Sequence, residues 1–217
     1  MKNFKTFTIL LFISFVLVSN TACTQEKANE ESMKMSMNNG ENPHTMLASN
    51  ASGADNATTV GKVHKIESVG KAKQGYAVEF TWKGEDGNAV RFSDYTKGKV
   101  VLLNFWGTWC PPCRREIPDL VEVSKDMANK DFILIGVATG ERGGSLEQNI
   151  QIVSNFMKDK GIPYNNFIAT QDLVNAYGGI AAVPTTYIID KNGKISESIV
   201  GMRTKSDFME SINRVLK

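Results

Sequence analysis

Two apolar runs dominate the pattern, Val100–Trp106 and Phe132–Ala138. Neither alternates with polar residues, so both are expected as strands buried on both faces of a sheet. Between them the spacing predicts a helix over Pro111–Asn129, with a kink near Pro118, which cannot donate to the helix ladder. Upstream, Tyr76–Trp82 and Ala89–Phe92 flank Lys83–Asn88, a hairpin pattern. Downstream, Gly140–Gly144 reads as a flexible loop and Ser145 as the cap of a helix reaching Lys160, with Glu147 in its first turn. A short strand (Phe167–Ala169) and a short helix (Asp172–Tyr177) follow. Thr185–Asp190 and Lys194–Val200 form a second hairpin around Asn192-Gly193. Thr204–Leu216 closes the chain as an amphipathic helix, apolar at Phe208, Met209, Ile212, Val215 and Leu216. This order predicts an α/β fold with a central mixed sheet flanked by helices.

The first third of the chain has a different texture. Phe7–Val18 is uncharged and follows Lys2 and Lys5, but it falls short of the roughly 20 apolar residues of a membrane span. It is expected to be a signal peptide over residues 1–22. Its end, Val18-Ser19-Asn20-Thr21-Ala22-Cys23, resembles a bacterial lipoprotein signal, in which the Cys becomes the lipidated first residue. Asn20 stands where such signals usually carry Leu. Conventional cleavage and an uncleaved anchor are the alternatives. Lipidation of Cys23 would also leave the other two of three cysteines as one pair. Residues 23–72 lack aliphatic periodicity and read as a disordered tether with a reach of about 40 Å. Met33, Met35, Met37, His44 and Met46 fall in it without the spacing of a defined copper site. Asn50 and Asn56 match the glycosylation pattern, here read as accidents of composition. Residues 73–217 are then the globular domain, a common size for one core. A net charge of +2 over 217 residues argues against a nucleic-acid partner, which calls for a concentrated basic face.

The chemistry sits directly behind the first buried strand, in Trp109-Cys110-Pro111-Pro112-Cys113. A Cys at a helix N-terminus has its thiolate stabilised by unpaired backbone N–H groups, and the thiolate is the nucleophile. A second Cys one turn on can attack a mixed disulfide and release the product. Pro111 suits the first helical position. A structural zinc site needs four ligands, and the only other candidates, Cys23, His44 and His64, lie far upstream, so no metal is expected. A structural disulfide across so short a loop would restrict little chain entropy. A redox-active pair is the expectation, with no cofactor.

With Val183-Pro184-Thr185 before the last hairpin, this order resembles the thioredoxin fold. Asp94-Tyr95, Gly98–Trp106, Cys113–Pro118 and the extra helix and strand between Gly140 and Ala169 narrow the resemblance to the TlpA/ResA group of anchored, extracytoplasmic thiol-disulfide oxidoreductases, over Tyr76–Lys217. That resemblance implies a thioredoxin-like domain with an N-terminal β-hairpin and a central helix-strand insertion. It implies an exposed attacking thiol at Cys110 and a shielded resolving thiol at Cys113. It places Pro184 as a cis-proline whose loop, with Val183, docks an extended substrate segment. Glu116 matches the group's acidic residue near the active site, where burial could raise its pKa toward neutrality for proton exchange. The alternative for Glu116 is a solvated helix glutamate beside Arg114 and Arg115. Asn104 stands where thioredoxins place a buried Asp, and it cannot titrate. Implied partners are protein thiols or disulfides, a membrane-embedded thiol-disulfide electron donor, and the membrane itself through the lipid anchor. The implied location is the cell envelope, on the periplasmic or extracytoplasmic face.

Trp106 and Trp109 flank the pair, as an apolar rim for protein substrates or, for Trp106 equally, as core. Pro111-Pro112 removes two N–H groups that could stabilise the thiolate, which favours a reducing couple. The resemblance points the same way, toward cytochrome c maturation or envelope thiol reduction. Two alternatives differ in class. A copper-delivery module would need a His inside the domain. A thiol peroxidase would place Thr or Ser about three residues before a lone reactive Cys, whereas Thr108 is two before Cys110.

Overall fold

A computed structural model of the chain describes residues 60–217. The signal segment, Cys23, the methionines with His44, and Asn50 and Asn56 lie outside the described residues. Within them, one sheet of six strands has the order β1 (Val63–Lys65), β7 (Asn166–Ile168), β6 (Phe132–Ala138), β5 (Val100–Trp106), β8 (Thr185–Ile189), β9 (Ile195–Val200). The first four are mutually parallel, β8 runs antiparallel to β5, and β9 antiparallel to β8. The mixed sheet expected from the chain is therefore present. A second antiparallel sheet joins β2 (Ser68–Val69), β3 (Phe80–Lys83) and β4 (Ala89–Arg91), so the expected hairpin carries a third strand.

Strand period explains how β5 serves two cores. All seven of its residues are buried. Val100, Leu102 and Trp106 enter one cluster with Cys113, Ile117 and Leu120 of α2 (Pro111–Asp126) and Phe208 and Ile212 of α5 (Lys205–Leu216). Val101, Leu103 and Phe105 enter the other, with Phe80 and Trp82. β6 divides likewise, Leu134 and Ala138 against Ile135 and Val137. Asn104 therefore shares the α2 face with Leu102 and Trp106. Gly136 is on that face of β6 as well, where a Cβ would overlap Asn166 Oδ1, the acceptor of the Trp106 indole N–H at 2.8 Å.

Helix ends follow the chain's own signals. Ser145 accepts from Gln148 N–H ahead of α3 (Leu146–Lys160), and Thr204 and Asp207 form a reciprocal capping box on α5. Thr170 caps α4 (Gln171–Ala176), and α1 (Phe92–Tyr95) is a single turn. Pro118 sits inside α2 on its exposed side.

Paired strands lie ahead of the expected start of the domain. β1 pairs with β7 and β2 with β3, ahead of the boundary expected at residue 73. These strands are three and two residues long, too short to show a period, and β1 is held by a partner distant in sequence. His64 consequently belongs to the folded unit, stacked on Phe167 with centroids 5.2 Å apart. Its Nε2 is buried without a partner, and burial, then Lys62, lowers its pKa. Among the described residues, no group of three His, Cys, Asp or Glu side chains is placed to hold a metal.

Candidate active site

The site forms where β5 ends and α2 begins. Cys110 has extended backbone as the N-cap of α2, and its Sγ accepts from Cys113 N–H at 3.2 Å. Pro111 and Pro112 have no N–H, so Cys113 is the first of the three following residues able to donate to that sulfur. Cys110 and Cys113 are joined as a disulfide, with Cα atoms 5.3 Å apart. Here the expectation of an exposed first thiol needs correcting. Cys110 is 2% exposed and Cys113 1% in this oxidised state, with the loop before β8 packed against the first sulfur. That loop contains the cis peptide Val183–Pro184, and Val183 O lies 3.6 Å from Cys110 Sγ.

Glu116 is not a solvated surface residue. It lies on the buried stripe of α2 with Cys113, Ile117 and Leu120, and is 1% exposed. Its Oε1 accepts from Asn104 Nδ2 at 3.0 Å and its Oε2 from the Arg203 backbone N–H at 2.9 Å. Burial pushes its pKa up to about 7, against the opposing pull of those two donors. Asn104 Nδ2 also donates to Thr186 Oγ1 at 2.9 Å, which ties the carboxylate to β8. Gly201 N–H donates to Pro184 O at 2.8 Å, so the Gly201–Arg203 turn holds both the cis-proline loop and Glu116. The buried Tyr164 phenol has its pKa raised by burial and then by the Glu116 charge.

The two tryptophans separate cleanly. Trp106 is core, 2% exposed and bound to Asn166, whereas Trp109 is 43% exposed at the mouth of the site. Thr186, Arg203 and Gly201 escaped the sequence reading. Thr186 and Arg203 act through one hydroxyl or one backbone N–H brought in from β8 and the β9–α5 turn, which no local spacing reveals. The arrangement can take up and release two electrons at a dithiol, with a carboxylate titrating near neutral pH one turn from the second sulfur.

Residues 74–198 match the AhpC/TSA family. The thiol-disulfide oxidoreductase ResA of Geobacillus thermodenitrificans is 36% identical over 140 residues, 64% of this chain and 75% of that protein. The chain belongs to the AhpC/TSA family, among the ResA-like thiol-disulfide oxidoreductases. Solved structures agree with a thioredoxin-like fold. A thiol:disulfide interchange protein of the thioredoxin family from Chlorobium tepidum superposes with a TM-score of 0.57 at 38% identity, covering 68% of this chain and all of that one. The pneumococcal exposed lipoprotein thioredoxin of Streptococcus pneumoniae gives 0.50 at 31% identity, over 63% and 98% of the two chains. This ResA-like chain is thus a thioredoxin-like enzyme of thiol-disulfide exchange.

Proposed function

We propose that this enzyme is a membrane-anchored, extracytoplasmic reductase of protein disulfides, acting in cytochrome c maturation or related envelope thiol reduction. The observation that carries the reading is the Cys110–Cys113 pair at the start of α2, facing Val183 O, with a buried carboxylate one turn further on. In the reduced enzyme the Cys110 thiolate attacks a substrate disulfide, forming a mixed disulfide and expelling one substrate thiolate. Cys113 gives its proton to the Glu116 carboxylate and attacks Cys110 Sγ, which expels the second substrate thiolate. The enzyme is left in the oxidised state seen here, and the substrate has gained two electrons. Glu116 returns its proton when a membrane-embedded dithiol donor re-reduces the pair. Val183 and cis-Pro184 offer backbone to an extended substrate segment, and Trp109 is the apolar wall beside it.

The reducing direction is supported by Pro111-Pro112, which leaves the Cys110 thiolate fewer donors. The envelope location and lipid anchor rest on residues 1–23, and a related structure carries the name of an exposed lipoprotein. Equilibrating the protein against glutathione and dithiothreitol buffers tests the direction. A midpoint near thioredoxin's roughly −270 mV is expected, and one near the strong oxidant's roughly −120 mV overturns the reductase reading.

A further inference from the structure

The loop after β6, Thr139–Gly144, reaches the β5–α2 turn through side chains rather than by extending the sheet. The last sheet-like contact there is Thr139 N–H to Trp106 O, at 2.8 Å. Beyond it the turn closes on itself by Cys110 N–H to Gly107 O at 3.1 Å, and the intervening Thr108 points outward to Glu141. Glu141 Oε1 accepts from Thr108 N–H at 2.7 Å, and its Oε2 accepts from the Thr108 hydroxyl at 2.6 Å. One carboxylate thus grips both hydrogen-bond donors of the residue two before Cys110. Such paired, short, charge-assisted bonds fix rotation as well as distance.

The same loop immobilises Trp109. Its indole N–H donates to Thr139 O at 3.0 Å, and the Arg142 guanidinium lies 5.7 Å from the ring centroid. Close approach is possible because neither neighbour has a Cβ. One on Gly107 would lie 2.9 Å from Trp109 Cε2, and one on Gly140, whose φ is +67°, 3.2 Å from Cζ2.

We propose that Glu141 is a positioning residue for thiol-disulfide exchange, gripping Thr108 so that the Gly107–Cys110 turn presents Cys110 Sγ, beside a fixed Trp109, to the incoming sulfur. Exchange at sulfur needs the attacking and leaving atoms aligned, and a small displacement of a reacting group costs rate steeply. Glu141 acts by geometry and not by charge. A Gln can accept from Thr108 N–H and donate to its hydroxyl oxygen, which preserves both contacts.

The inference rests on Cys110 being the attacking thiol. Peptide mapping of the first cysteine alkylated in the reduced wild-type chain tests that reading separately. In the full chain, Glu141→Ala should slow reduction of a protein disulfide by about tenfold or more and alter the pH profile of Cys110 alkylation by iodoacetamide. Glu141→Gln should stay within about twofold of wild type on both measures. Thr108→Val, which keeps the N–H contact, should fall between, and combining it with Glu141→Ala should add no further loss. Wild-type rates and profile in Glu141→Ala overturn the proposal, as does a Glu141→Gln variant as slow as Glu141→Ala. Should Glu141→Ala fail to fold, Thr108→Val and Glu141→Gln decide it, and an unaffected Thr108→Val overturns it.

Discussion

Glu116→Gln in the oxidised protein isolates the charge that burial makes costly. In the unfolded chain this carboxyl titrates near 4.5, and in the folded protein at about 7. Its folded pKa is raised, so the native state holds a proton that the unfolded state has already lost between those values. The stability it contributes is complete below about pH 4.5 and is lost as the pH rises through about 7. At about 1.4 kcal/mol per pH unit, that interval is worth about 3 kcal/mol. Glutamine removes the titration but places an NH₂ against one of two donors, Asn104 Nδ2 or Arg203 N–H. That conflict costs about 1–3 kcal/mol, at every pH. The diagnostic is therefore the pH dependence of the difference between the two proteins, in which His64 and the surface groups cancel. Urea unfolding at pH 4.5, 6, 7 and 8 should show wild type losing about 3 kcal/mol relative to Glu116→Gln across the range. A difference constant to within about 1 kcal/mol would refute the raised pKa and with it the proton exchange assigned to Glu116.

Three further outcomes are expected. Asn166→Ala should lower stability by about 1–3 kcal/mol, measured by urea unfolding, because the buried Trp106 N–H loses its acceptor; an unchanged midpoint would count against that contact. His64 has a lowered pKa, so its contribution is present above its unfolded value of 6.5 and lost as the pH falls through the folded one. His64→Phe should therefore gain stability relative to wild type on acidification, and a pH-independent difference would remove His64 as the cause. Cys23→Ala should release the protein from membranes or block its processing, whereas unchanged membrane association and no lipid mass on the mature N-terminus would exclude lipidation.

Much of the fold was legible because its central elements carry strong local signals. The near-continuous apolar runs of β5 and β6 admit few readings, and Ser145, Thr204 and Asn192-Gly193 mark ends and a turn by side-chain chemistry alone. Glu116 was legible through helical spacing, since it shares the Cys113–Ile117–Leu120 stripe, but its protonation was not. That depends on Asn104, Thr186 and Arg203, which arrive from three other parts of the chain. β1 and β2 were missed because two or three residues carry no period, and the partner of β1 lies far along the sequence. Glu141 falls in the Gly140–Gly144 loop, where no spacing singles it out, and only the folded chain shows it bound to Thr108. The burial of Cys110 was missed for a related reason. Helix geometry places a first cysteine at the surface end, but the Val183–Pro184 loop packs against it.

The most direct test of the division of labour between the two sulfurs is to trap the first covalent step. Reduced Cys113→Ser and Cys110→Ser are each mixed with a disulfide-bonded protein, quenched with acid, separated without reductant and mapped by mass spectrometry. The expected result is an adduct joined through Cys110 in Cys113→Ser and none in Cys110→Ser. An adduct joined through Cys113 in Cys110→Ser, with none in the other variant, would contradict the assignment of Cys110 as the attacking thiol.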